Sequence, residues 1–307
     1  MKRLNIFILI FSILLCHLSV GIAEVNSINA FSHANRLTQD FLCCMDKTNS
    51  ALYYCVDKKA FIWNYSVIYE VKDGKNVPLL WSRDTISGFL VQDNVIYYVS
   101  HDDFSGRGKL IRFDPASMTK NTLLDVGYGV GALFSIIDND LYLETDIHIA
   151  KLNLDTLEIS KLADKAYYVS SASAQGITAY SGSDWYFYAW DSTEPVYFKN
   201  YQNPLTDRIF IMALNDNQYI VLNGKDFSCS IYCHDEVKRE EHVISACLAD
   251  DTAALFIQGD RSIVRIYKLG DMIEWINDAQ TDCDSLVYQF EGKNIMMNDK
   301  QELFIIP

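Results

Sequence analysis

Short apolar, β-branched and aromatic runs recur about every 40 residues from residue 41 to the end of the chain. Four stretches share one pattern: VQDNVIYYVS at 91–100, IIDNDLYLET at 136–145, LNDNQYIVLN at 214–223 and LADDTAALFI at 248–257. Each has an apolar run, an Asp/Asn-rich turn and a second apolar run, which is the pattern of a β-hairpin. Hairpins repeating at a fixed period predict an all-β chain, and within that class a β-propeller.

Seven units can be marked off, at 41–81, 86–125, 131–162, 166–199, 208–244, 245–276 and 285–306. The first five hold four strand-like runs each. The expectation is therefore seven four-stranded blades, with six and eight as the neighbouring counts. The seventh unit supplies only three runs, at 285–290, 293–297 and 302–306. A closed ring leaves no blade short of a strand, so 25–31, with Val25, Ile28 and Phe31, is expected to complete it. The stretch 271–280 is ambiguous. Met272, Ile273, Trp275 and Ile276 fit either the fourth strand of unit six or a short helix.

The third and fourth strands repeat a second cue. LIRFDPASMTKNTLLD at 110–125 and IAKLNLDTLEISKLAD at 149–164 align, with hairpin turns at Asp114-Pro115 and at 153–156. Each ends on an Asp, Asp125 or Asp164, at the passage to the next unit. The run of Asp-Asn, an aromatic pair, then Leu-x-Arg/Lys-apolar-Asn/Asp resembles the bacterial β-propellers related to the YWTD propeller of the low-density-lipoprotein receptor. It also resembles TolB-like propellers. The YWTD string itself is absent: Ile96-Tyr97-Tyr98-Val99 and Leu141-Tyr142-Leu143-Glu144 stand in the comparable places. The resemblance covers about residues 41–307; it implies the fold and, loosely, a binding role, and carries no catalytic residue.

The first 23 residues read differently. Lys2 and Arg3 precede an apolar run from Ile6 to Leu15, and Gly21-Ile22-Ala23 offers small residues for cleavage. This is the pattern of a secretory signal peptide, leaving 24–307 as a single propeller domain of an exported protein, whether periplasmic, cell-surface or secreted. The apolar run is short for a spanning helix, so no stable membrane insertion is expected after cleavage. Leu15 before Cys16 is too large for a usual lipoprotein signal.

Charge narrows the partners. The chain has 26 basic and 40 acidic residues, a formal net charge of −14, and removing the leader takes it to about −16. That argues against nucleic acid and anionic lipid headgroups. Seven cysteines remain beyond the leader, with no framework spacing. Most read as small hydrophobes within strands, with one plausible bridge, from Cys43 or Cys44 to Cys55 across a hairpin. Cys229-Ser230-Ile231-Tyr232-Cys233-His234 invites a haem or zinc reading. The spacing is one residue too long for haem attachment, and strand alternation turns His234 away from both thiols. A zinc site would need Cys229, Cys233 and His242 or Cys247 to converge. No cofactor and no metal site is expected. Gly127-Tyr128-Gly129-Val130-Gly131 precedes a strand rather than a helix, so it reads as an inter-blade connection rather than a phosphate cradle.

No catalytic motif stands in the chain, and the five histidines beyond the leader are scattered. The acid pairs Asp138/Asp140 and Asp250-Asp251 fall in first-to-second-strand turns, where turn geometry alone accounts for them. The loop 101–108, HDDFSGRG, is longer and joins the second and third strands of unit two, with Gly106 and Gly108 expected to make it pliable. In a propeller such loops share one face with the blade-to-blade links. The candidate ligand-binding residues on that face are Arg83, Asp84, His101, Asp103, Arg107, Tyr128, Tyr167, Tyr201 and Arg261, with Asp102 and Asp260 beside them. The expected function is non-enzymatic binding of a protein, peptide or glycan partner. The alternative is a glycan-active lyase or hydrolase, which would require His101, Asp103, Arg107 and Arg83 to converge on one pocket.

Overall fold

The computed structural model describes residues 28–29, 43–46, 51–60, 63–72, 75–102, 105–128, 132–145, 148–164, 168–173, 175–192, 194–200, 209–249, 251–281, 285–290, 293–297 and 302–306. All regular structure among them is β, in seven four-stranded antiparallel sheets.

Blade 1 runs Cys43–Asp46, Ala51–Ala60, Trp63–Lys72 and Lys75–Ser82; blade 2 runs Thr85–Gln92, Val95–His101, Gly108–Asp114 and Thr119–Gly127. Blade 3 has Leu133–Ile137, Asp140–Glu144, His148–Asn153 and Ile159–Asp164; blade 4 has Tyr168–Ala172, Gly176–Ser181, Asp184–Ala189 and Val196–Asn200. Blade 5 has Ile209–Ala213, Gln218–Asn223, Ser228–Cys233 and Glu236–Glu241; blade 6 has Val243–Ala249, Thr252–Ile257, Ile263–Leu269 and Ile273–Gln280. Blade 7 takes Ser285–Phe290, Lys293–Met297 and Glu302–Ile306 from the C-terminus and Ile28–Asn29 from the other end of the chain. Ile28 pairs with Leu303 and Asn29 with Glu302, so the two chain ends meet in one sheet. The first strands of neighbouring blades touch one another, which makes the first strand innermost and the fourth outermost. The chain is a seven-bladed β-propeller, closed as its three-run last unit requires.

Local chemistry explains the hairpins. Asp93 and Asn94, between the first two strands of blade 2, both have positive φ (53° and 62°), the mirror-image turn that matches strand twist. Asp138 does the same work in blade 3 at φ 54°. The two aligned third-to-fourth-strand turns are built alike. Asp114 Oδ1 accepts from the amides of Ala116 (2.9 Å) and Ser117 (3.4 Å), and Asn153 Oδ1 from those of Asp155 (3.2 Å) and Thr156 (3.0 Å). Met118 and Leu157 then take left-handed backbone at φ 57° and 59°.

One repeat has no sequence signature. Five of the seven innermost strands change register against their neighbours near their starts, with Ser87, Phe134, Ser170, Ile244 and Val287 as the extra residues. A bulge bends and twists its strand, and here it does so where the chain enters each blade beside the axis.

The core lies between blades. Tyr53, Ile68 and Leu80 of blade 1 pack on Ile86, Phe89 and Phe113 of blade 2, and equivalent clusters join blades 2 and 3, 3 and 4, 4 and 5, and 5 and 6. Each fully buried side chain of this size contributes roughly 1.5–3 kcal/mol.

The ambiguous stretch resolves as the fourth strand of unit six, with Trp275 and Ile276 exposed to solvent and Ile273 packed against the blade 5–6 cluster. Two expectations need correction. The second and third strands of blade 1 run to Ala60 and from Trp63, well past the apolar runs at 51–56 and 65–71, because backbone pairing continues through Lys58↔Tyr65 and Ala60↔Trp63. At the root of that ribbon the Ser66 hydroxyl donates to Asp57 Oδ1 (2.5 Å) and accepts from the Ile86 amide of blade 2 (3.0 Å), which satisfies a fully buried polar group. The Cys43/Cys44–Cys55 bridge is not made. Register sets Cys43 opposite Tyr54 and Cys44 opposite Tyr53, while Cys55 is a free thiol turned into the blade 1–2 cluster.

Cys229 and Cys233 share one side of their strand and lie fully buried in the blade 5–6 cluster; His234 is exposed in the following turn. Burial pushes the thiols of Cys55 and Cys229 up, which disfavours the thiolate that reacts or binds metal. Alkylation of the native chain should therefore leave Cys55, Cys229 and Cys233 unmodified over times in which unfolded chain reacts fully, read by peptide mass mapping. Rapid native labelling of any of the three would contradict this packing.

Among the described residues no helix is long and apolar enough to cross a membrane.

Candidate functional site

Register assembles one end of blade 2. Thr85, His101, Gly108 and Gly127 stand side by side across its four strands. One residue beyond that row come Asp84, Asp102, Arg107 and Tyr128, so four separate segments deliver polar and aromatic groups to the same face. This is the face of the second-to-third-strand loops and the blade-to-blade links.

Hydrogen bonds tie the described ends of the loop to one another. The Gly106 amide donates to Asp102 O (2.8 Å), the Asp102 amide to Arg107 O (3.1 Å), and the Ser105 amide to Asp102 Oδ1 (2.8 Å). Gly106 is needed for its positive φ of 68°. Gly108 is needed for space: a Cβ there would stand 2.6 Å from His101 Cε1 and 2.7 Å from Val126 Cγ2.

Arg107 leaves the loop toward the outer strand. Its Nη2 lies 2.7 Å from Asp125 Oδ2, and its guanidinium carbon lies 5.7 Å from the centre of the Tyr128 ring. Asp125 Oδ1 also accepts from the Gly127 amide at 3.0 Å, which fixes the carboxylate. Tyr128 is 70% exposed. A cation, its counter-ion and an aromatic ring thus form one open platform, held by a pair worth little to stability because it is half in solvent.

His101 belongs to a different set of contacts. Its Nε2 lies 2.9 Å from the hydroxyl of Ser87, the extra residue of the blade 2 bulge. Deeper, between blades 1 and 2, the Ser82 and Ser100 hydroxyls lie 3.4 Å apart, and Ser100 Oγ reaches Asp84 Oδ2 at 3.4 Å. Burial, with the Asp84 charge adding to it, pushes the Tyr98 phenol up to about 12.

The structure thus brings Asp84, His101, Arg107 and Tyr128 to one end of blade 2 and sets the Arg107 guanidinium over the Tyr128 ring. Arg83 is exposed on the link between blades 1 and 2. Arg261, with Asp260, is exposed on the loop of blade 6, on the same face but across the ring. Asp103, Tyr167 and Tyr201 lie outside the described residues. Asp125 was legible only as the terminal Asp of a repeat, and Ser87 had no signal at all. His101 bonds to Ser87, while Arg107 bonds to Asp125.

No protein-family model matches the sequence, and no curated protein matches it. Solved structures match in shape. A chain of the S. cerevisiae complex of Dbp5 bound to Nup159, Gle1, IP6 and ADP is 11% identical, with a TM-score of 0.55 over 93% of this chain and 94% of that one. The β-propeller domain of the Trilobed protease from Pyrococcus furiosus, described as having an open velcro topology, is 9% identical with a TM-score of 0.52, over 88% of this chain and 91% of that one. TolB from Acinetobacter baumannii is 12% identical with a TM-score of 0.44, covering 71% of this chain and only 60% of its own. Such identities speak to fold and to nothing finer. The β-propeller expected from the sequence resemblance is thereby met.

Proposed function

We propose that this is an exported, non-enzymatic β-propeller that binds a protein, peptide or glycan partner through the loop face of blade 2. The observation that carries the reading is the Arg107–Asp125–Tyr128 platform: an exposed ring beside an oriented ion pair, on a hydrogen-bonded loop above a rigid sheet. Preorganised aromatic and arginine side chains supply most of the energy at binding surfaces. His101 and Arg107 turn to different partners, which supports binding over a lyase or hydrolase reading. The net charge of −14 disfavours nucleic acid as partner. Export rests on the leader-like residues 1–23, and the kinship to YWTD-like or TolB-like propellers on the repeat pattern. A propeller as a protein-docking scaffold has a parallel in Nup159, to which Dbp5 is bound in the similar structure.

The test is an Arg107→Ala/Tyr128→Ala double variant applied to immobilised peptide and glycan arrays. Stability should move by no more than about 0.5 kcal/mol per exposed site. Capture of whatever the native chain retains should weaken about thirtyfold, the equivalent of a hot spot of about 2 kcal/mol. Undiminished capture by a folded double variant would move the site to the opposite face or the blade rims.

A further inference from the structure

The outermost strand of blade 6, Ile273–Gln280, is unlike its counterpart in blade 5. It ends its sheet, and among the described residues its strand pairing is with Ile263–Leu269 alone; its first amide, that of Ile273, donates to Glu236 Oε2 of blade 5 (2.7 Å), which leaves the edge from Glu274 onward. Open edges are normally guarded by charge. The outer strand of blade 5 follows that rule, reading EVKREE. Blade 6 instead shows solvent Met272 (65% exposed), Trp275 (56%) and Ile276 (46%) within five residues.

The arrangement is ordered. The Trp275 indole N–H donates to Asp278 Oδ1 at 3.0 Å, which holds the ring along the strand. Ile276 is the extra residue of a bulge, lying between the pairs Tyr267↔Trp275 and Ile266↔Asn277. The charge along the strand itself has one sign, while across from it Lys268 stands opposite Glu274 with its Nζ 3.5 Å from Asp251 Oδ2. From 271 to 280 there are three acids, Asp271, Glu274 and Asp278, and no lysine or arginine. Arg265, the other cation of that adjacent strand, is engaged in full, with Nη1 on Glu240 Oε2 of blade 5 (2.9 Å) and Nε and Nη2 on the two oxygens of Asp278 (2.9 and 2.8 Å). Asp271 and Glu274 are exposed.

We propose that this rim is a docking edge for an extended, basic segment of another protein, which adds to blade 6 as a fifth strand. Its apolar side chains would cover Met272, Trp275 and Ile276, and its lysines or arginines would face Asp271 and Glu274. Backbone pairing supplies the affinity of such strand addition, and the alternating side chains supply the choice of partner. A second copy of this chain fits poorly, because it would bring the same acids and another net charge of −14 to the same edge.

The experiment uses the full chain and two fluorescein-labelled peptides, one alternating valine with lysine and one with glutamate in place of lysine. Fluorescence anisotropy should show saturable binding of the basic peptide, weaker at high salt, and none of the acidic one. Trp275→Ala/Ile276→Ala and Asp271→Lys/Glu274→Lys should each weaken it about tenfold or more. All four positions are exposed, so melting temperatures should hold. Hydrogen exchange gives a readout independent of variants: the basic peptide should slow exchange of the 273–280 amides. Equal binding of both peptides, undiminished binding by either variant, or unchanged exchange at 273–280 would overturn the proposal. So would a concentration-dependent dimer abolished by Trp275→Ala/Ile276→Ala, which would assign the edge to a second copy.

Discussion

A chain lacking residues 24–32 should melt well below the full chain, unfold faster and aggregate on heating. The reason is the clasp in blade 7, where Ile28 and Asn29 pair with Leu303 and Glu302. Without them Glu302–Ile306 becomes the open edge of a three-stranded blade, and the one pairing among the described residues that joins the two ends of the chain is lost. The clasp is short. Its hydrogen bonds contribute of the order of 1–3 kcal/mol directly, which corresponds to a fall of roughly 2–10 °C in melting temperature for a protein of this size. The rate effect should be larger, because blades 1 and 7 can then part without any other pairing breaking first. Ile28→Pro tests the same pairing without deletion, since proline lacks the amide donor; it should move stability in the same direction by less. Equal melting temperatures and unfolding rates for the full and shortened chains would mean that the pairing does not hold the ring.

The repeat itself was readable because its turns are chemically marked. Asp93, Asn94 and Asp138 sit at positive φ, where Asp and Asn are among the few residues tolerated, so the hairpins announced themselves. The missing strand of the last unit was readable for a similar reason: counting apolar runs exposed a deficit that closure had to fill. Bulges were not readable. An extra residue breaks the alternation on which strand reading depends, and at Ile276 it also mimics helical spacing among Met272, Ile273, Trp275 and Ile276. The extension of the blade 1 hairpin was hidden because Lys58 and Lys59 look like the end of a strand, although pairing continues through them.

The site divides in the same way. That Asp84, His101, Arg107 and Tyr128 share one face follows from strand order alone, and the sequence carries strand order. That Arg107 meets Asp125, while His101 meets Ser87, depends on side-chain direction after register shifts. The third and fourth strands of blade 2 slip twice, between Gly108 and Lys109 and between Leu110 and Ile111, and the first strand slips at Ser87. Each slip re-aims the neighbouring side chains, and no residue type marks the places. The hydrogen bonds that Asp102 makes within the loop were likewise invisible; of the two glycines, one serves a turn and the other makes room for the His101 ring.

Trp185→Ala should be the most damaging single substitution considered. Trp185 is fully buried, packs on Ile209, Ile211 and Val221 of blade 5, and lies 4.8 Å from the Tyr180 ring centre. Removing an indole from such a site costs about 3–5 kcal/mol in lost burial and cavity, or roughly 10 °C or more in melting temperature. The indole N–H, however, finds no acceptor among the described residues. A buried donor left unsatisfied costs about 1–3 kcal/mol, and replacing it by an apolar group of similar shape returns that amount. Trp185→Phe keeps an aromatic ring between blades 4 and 5 and removes the donor, so its two effects oppose. It should lie within about 1–2 kcal/mol of the native chain, far from Trp185→Ala. Thermal and urea unfolding of the two variants side by side make the comparison. If Phe proves as costly as Ala, the indole N–H must be satisfied in solution and the blade 4–5 interface is more polar than its packing shows; if Ala proves nearly neutral, Trp185 does not anchor that interface.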